Sequence, residues 1–99
     1  MIIRGGVNIY PAEIEQVLLQ HPLVGDAAVV AWPSRDMGEE VAAFVVASEP
    51  GPEEVLLQHC RAQLARYKVP RAIFLVDSLP RNGFGKVLKN ELASRLEPV

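Results

Sequence analysis

Two apolar runs separated by a short polar turn constrain this chain most. Asp26 to Trp32 is rich in strand-forming residues and is bounded by Gly25 and Pro33. Glu40 to Ser48 reads Glu-Val-Ala-Ala-Phe-Val-Val-Ala-Ser, a second and well-buried strand. Ser34 to Gly38 between them is a polar turn, so the two runs can pair as a hairpin. A short sheet of this kind is stable with helices packed on it, and the flanking segments read as helices.

On the N-terminal side, Gly5 to Tyr10 reads as a loop, because paired glycines support unusual backbone angles. Pro11 then suits the first turn of a helix, where its missing N–H costs nothing. Glu13 and Glu15 favour the positive end of that helix. Ile14, Val17 and Leu18 share one face, and Pro22 ends the helix soon after Gln20.

On the C-terminal side, Glu49-Pro50-Gly51-Pro52 is a breaker. A second helix is expected from Glu53 to Arg66, with Leu56, Leu57, Cys60 and Leu64 inward. Lys68-Val69-Pro70 breaks it, and Ala72 to Val76 is a third short strand. Leu88, Leu92 and Leu96 recur every four residues and predict a last helix to about Leu96. The fold class is therefore α+β: a small sheet of about three strands with helices packed on it, in a single domain over residues 1–99. Ile2 and Ile3 read as a strand end with no earlier partner, so residue 1 is expected to be a cut point inside a longer protein.

A net charge of -2 argues against nucleic acid as a partner, since phosphate binding needs a basic stripe. The apolar runs are too short to span a bilayer. The N-terminus lacks the apolar core of a signal peptide. Cys60 is the only cysteine, which excludes an internal disulfide and a cysteine metal cluster and fits a reducing, cytoplasmic setting.

Two motifs carry chemistry. In Leu79-Pro80-Arg81-Asn82-Gly83-Phe84-Gly85-Lys86, two glycines give a bendable loop that ends in one lysine. Such a lysine is charged at neutral pH and can stabilise charge that builds between a carboxylate and a phosphate. In Gly5-Gly6-x-Asn8-x-Tyr10-Pro11-x-Glu13-Ile14-Glu15, glycines without Cβ let the backbone lie close to a narrow ligand such as a pantetheine arm. On residue type and spacing alone, a solvated surface lysine and a tight turn before a good helix start are the simpler readings. Cys60 falls on an apolar helix face and reads as core. His21 and His59 lack partners at metal spacing and read as structural. Trp32 reads as packing, and Arg35, Asp36, Glu39 and Glu40 as a solvated turn.

Taken together, the two motifs resemble the C-terminal domain of the adenylate-forming superfamily: acyl-CoA synthetases, adenylation domains of peptide synthetases, and luciferase. That family carries G-G-x-N-x-Y-P-x-E-I-E near the start of this domain and P-[KR]-T-x-[ST]-G-K near its end. His21-Pro22-Leu23-Val24, Ala27-Ala28-Val29-Val30, Gly38-Glu39 and Tyr67-Lys68-Val69-Pro70 also resemble the family pattern in order and spacing. Asn82 and Phe84 depart from it, standing where the family has hydroxyl side chains; Asn82 can still hydrogen-bond, whereas the Phe84 side chain cannot. Arg4 stands where serine is frequent.

The resemblance implies a two-step acid–thiol ligase. ATP and a carboxylic acid give an acyl-adenylate, with Mg2+ accompanying ATP and held mainly by a large N-terminal domain absent from this chain. The thiol of CoA then displaces AMP. Lys86 is the implied catalytic residue of the first step. Gly5, Gly6, Asn8, Tyr10 and Gly85 are the implied cofactor-binding residues, with the loop from Gly5 to Tyr10 lining the pantetheine path and Gly85 beside the lysine. Arg71 and Arg81 are candidates for CoA phosphate contacts. The implied partner is the chain's own N-terminal domain, and the 99 residues alone are expected to be inactive. An adenylation domain that loads a carrier protein, or a free-standing binding module, are the alternatives.

Overall fold

A computed structural model describes residues 1–99. Its elements run β1 (Ile2–Arg4), β2 (Val7–Ile9), α1 (Pro11–Leu19), β3 (Val24–Ser34), β4 (Gly38–Ala47), α2 (Glu53–Gln63), a 3-10 turn (Arg66–Lys68), β5 (Ala72–Leu75) and α3 (Lys89–Ala93). The expected hairpin is the spine: β3 and β4 pair antiparallel from Val24↔Ala47 to Ser34↔Gly38. On its other edge β4 meets β1 antiparallel at Arg4↔Gly38 and β5 in parallel, with Ala43 opposite Ile73.

The apolar runs look continuous because both faces of the hairpin are covered. Side chains alternate along a strand. Ala27, Val29, Val41, Ala43 and Val45 therefore face one core with Ile14, Leu18, Leu56 and Cys60 of α1 and α2. Ala28, Val30, Ala42 and Phe44 face a second core with Leu79 and Leu92. Leu92 of α3 is fully buried there, so the short last helix fixes the segment that carries Lys86 onto the sheet.

The α+β class and the helix–strand order stand. The sheet, however, has five strands rather than about three. The segment read as a loop contains β2, and β1 pairs with it through Ile2↔Ile9, Ile3↔Asn8 and Arg4↔Val7. The strand read as having no earlier partner pairs with two later ones, β2 and β4. Strands of three residues are too short to show alternation, which is why the sequence hid them. The second helix ends at Gln63 rather than Arg66, because Leu64 is extended (φ -122, ψ 152). The last helix stops at Ala93 rather than Leu96. Pro11 opens α1 as expected, with Ile14, Val17 and Leu18 buried.

Candidate functional site

The Lys86 loop closes on itself. Arg81 and Val87 form an antiparallel bridge, and the Leu88 N–H donates to the Pro80 carbonyl at 2.8 Å. Within the bridge, the Asn82 N–H donates to the Lys86 carbonyl at 2.9 Å and the Gly85 N–H to the Asn82 carbonyl at 3.0 Å. Asn82 Oδ1 accepts the Phe84 N–H at 2.9 Å and the Lys86 N–H at 3.0 Å. The Arg81 guanidinium donates to the Gly85 carbonyl at 2.6 Å and pairs with Asp26 of β3. Gly85 has φ +83, a left-handed value that a side chain would strain. Where the glycines suggested a bendable loop, the folded loop is closed by hydrogen bonds. The Phe84 ring at its tip is 99% exposed.

Among the lysines, ion pairing sets Lys86 apart. The chain has three lysines. Lys68 lies 2.8 Å from Glu13, and that hydrogen bond raises its pKa above the ordinary lysine value. Lys89 lies 2.8 Å from Glu15, which also accepts the Val29 N–H on the free edge of β3. Lys86 alone has no carboxylate within ion-pair distance. Its exposed ammonium stands at the rim of a groove lined by Glu15, Asp26, Arg81 and Lys89, whose own charges are paired. The chain therefore presents one uncompensated ammonium on a braced loop.

The second motif is a hairpin tip. Gly5 and Gly6 both have positive φ (+55 and +84), the backbone that a two-residue turn between twisted strands requires. This requirement accounts for both glycines without a ligand. The Gly5 N–H donates to the Met37 carbonyl at 2.8 Å, and a Cβ on Gly5 would meet Met37 Cε at 2.8 Å. A Cβ on Gly6 would meet nothing within 4 Å, so its outer side is open. Asn8 is exposed on β2, and Tyr10, also exposed, precedes α1. The first residues of β4 hold this hairpin down. Glu39 accepts the Ile3 N–H at 2.8 Å, and buried Glu40 pairs with Arg4 at 2.8 Å and Arg71 at 3.8 Å. The expected solvated turn thus holds the buried charge of the fold.

The two motifs are not brought together. Gly5 docks on the Met37 turn at one end of the β3–β4 hairpin, and the Lys86 loop is tied to Asp26 near the other. The stretch from Asp26 to Ser34 spans roughly 25 Å at the rise of a strand.

Among the remaining candidates, the Arg81 guanidinium is engaged inside the chain. Arg71 keeps an exposed head over Trp32, 5.9 Å from the ring centroid. Trp32 packs on Phe74 and donates to the Glu97 carbonyl. His59 hydrogen-bonds the Val17 carbonyl, and His21 accepts the Leu23 N–H. Cys60 is fully buried, and burial pushes its thiol up to about 11. Asp26 and Glu15, which support the lysine segment, were not legible as its supports from residue order alone. Only the acidic start of α1 hinted at Glu15, and Asp26 lies 55 positions from its partner.

This small α+β body matches known proteins. Residues 13–86 match the AMP-binding enzyme C-terminal domain family, and the chain belongs to that family. The 2-succinylbenzoate–CoA ligase of Bacillus cytotoxicus is 47% identical over 97 residues, which is 98% of this chain and 20% of the ligase. ATP-bound MatB from Rhodopseudomonas palustris superposes with a TM-score of 0.89 at 41% identity, over 94% of this chain and 19% of MatB. The o-succinylbenzoate CoA synthetase (MenE) of Bacillus subtilis, in complex with the acyl-adenylate intermediate OSB-AMP, gives 0.87 at 44% identity, over 92% and 19%. The chain thus spans about a fifth of the length of the relatives it matches.

Proposed function

We propose that this chain is the mobile C-terminal domain of an ATP-dependent acyl-CoA synthetase. In the first step a carboxylate oxygen attacks the α-phosphorus of ATP and pyrophosphate leaves. Lys86 places its ammonium beside the oxygens on which charge builds, where a preorganised cation lowers the barrier. In the second step the sulfur of CoA attacks the adenylate carbonyl and AMP leaves. The Gly5–Gly6 tip, with Asn8 and Tyr10 beside it, lines the path of the pantetheine arm. No group of three His, Cys, Asp or Glu in this chain could hold a metal ion. In this reading Mg2+ accompanies ATP and is held mainly by the rest of the ligase. No helix is long and apolar enough to cross a membrane. Together with the single free cysteine, this supports a cytoplasmic enzyme.

The observation that carries the proposal is the contrast among the lysines. The one at the end of the family's Gly-Lys motif is the one left without an acid partner. Identity of 47% to a CoA ligase favours CoA over a carrier-protein thiol. In the full-length ligase, Lys86→Ala should slow acyl-adenylate formation, read as ATP–pyrophosphate exchange, by about 10²- to 10³-fold. Thioester formation from preformed acyl-adenylate should stay within about twofold. Equal loss in both half-reactions would overturn the assignment.

A further inference from the structure

We infer that Asn82 is the residue that positions Lys86 for its reaction, and that Arg81 ties this arrangement to the sheet. The inference rests on the adenylation role proposed for Lys86. Three backbone polar groups around the Lys86 Cα are held from within the loop. Asn82 takes two of them: its Oδ1 accepts the Lys86 N–H at 3.0 Å, and its N–H donates to the Lys86 carbonyl at 2.9 Å. Arg81 takes the third, donating to the Gly85 carbonyl at 2.6 Å. The same guanidinium pairs with Asp26 on β3, which is held by ten pairings to β4. The lysine backbone is thereby tied to the central hairpin of the sheet.

The chemistry of the side chain explains the residue. A carboxamide oxygen has two lone pairs and can accept two N–H groups at once, as Asn82 does for Phe84 and Lys86. Asparagine carries no charge, so it adds no anion beside a lysine that must meet a negatively charged triphosphate. The loop needs such a clamp because Gly83 and Gly85 would otherwise leave it many conformations. Phe84 contributes nothing to the clamp through its side chain, since its ring is fully in solvent and only its N–H is used. The missing hydroxyls at positions 82 and 84 are therefore replaced by one amide oxygen. Misplacing a reacting group by about 1 Å lowers a rate by up to roughly 10²-fold.

The test is a double-mutant cycle in the full-length ligase, read by ATP–pyrophosphate exchange. Asn82→Ala should lower kcat of adenylation about 10- to 100-fold with KM for ATP nearly unchanged, because the lost interaction acts through the transition state. Asn82→Ser, which keeps a weaker acceptor, should recover part of that loss. Added to Lys86→Ala, the same Asn82→Ala change should cost less than twofold. Thioester formation from preformed acyl-adenylate should be unaffected in every variant, which also shows that the domain is folded. If Asn82→Ala lowers the rate equally with and without Lys86, or if Asn82→Ser restores nothing, the positioning role is wrong. If Asn82→Ala has no effect while Lys86→Ala is crippling, the positioning role alone fails. If Lys86→Ala itself has no effect, the adenylation assignment fails with it.

Discussion

Lys86 and Cys60 show how the same fold treats two reactive side chains in opposite ways. Lys86 is exposed and has no acid partner, so its charge is available to an outside anion. Cys60 is fully buried on α2, and burial raises its thiol from an ordinary value of 9.0 to about 11. Burial disfavours the thiolate, which is the nucleophile, so Cys60 packs rather than reacts. A pH dependence of stability follows. In the unfolded chain the thiol ionises near pH 9, while in the folded chain it keeps its proton to about 11. The stabilisation is whole below pH 9 and is lost as pH rises from 9 to 11, reaching about 2 to 3 kcal/mol. Urea unfolding at pH 8 and pH 10.5 should show this drop, and Cys60→Ala should flatten it. An equal drop in the variant would place the alkaline sensitivity elsewhere.

At the scale of elements, the β1–β2 hairpin depends on the first residues of β4. Glu40 is 6% exposed and carries both Arg4 and Arg71. Removing one partner of a buried pair leaves the other charge uncompensated, which costs 3–5 kcal/mol when both are fully buried. Arg4 and Arg71 reach solvent, so Glu40→Ala should cost less, about 1 to 3 kcal/mol. Glu40→Gln keeps the shape and should cost about half as much. Chemical denaturation of the two variants checks this; a loss under about 0.5 kcal/mol for Glu40→Ala would show that the pair does not hold the hairpin. The same element marks the limit of what the sequence discloses. The long strands and α1 were legible because apolar runs and a Pro–Glu helix start are local signals. Glu40 read as part of a solvated turn, because only the fold brings Arg4 and Arg71 to it. Lys86 and the Gly5–Gly6 tip were legible as motifs, yet the clamp on Lys86 was not. Its bonds depend on a turn backbone, and its anchor at Asp26 lies 55 positions away in sequence.

For the whole molecule, the lysine loop and the glycine tip are anchored toward opposite ends of one hairpin, whose stretch from Asp26 to Ser34 is roughly 25 Å long. The β3–β4 pairing that separates them is continuous and covered on both faces, so the two features cannot approach each other. Under the proposed function, one acyl-adenylate centre would meet only one of them at a time, and the body would have to reorient between the two half-reactions. Substitutions at the two ends should then separate cleanly by step. A bulky residue at Gly6 tests the thiol end. A Cβ at Gly6 meets nothing within 4 Å, so the side chain of Gly6→Trp leaves the turn into open space. The positive φ still strains the turn, so Gly6→Ala serves as the control that carries the strain without the bulk. Gly6→Trp should slow thioester formation from preformed acyl-adenylate by at least about tenfold relative to Gly6→Ala, while ATP–pyrophosphate exchange stays within about twofold. This is the converse of the Lys86→Ala pattern. An unchanged thiol step in Gly6→Trp would remove the glycine tip from the pantetheine path, and loss of pyrophosphate exchange in the same variant would show that the two ends do not act in separate poses.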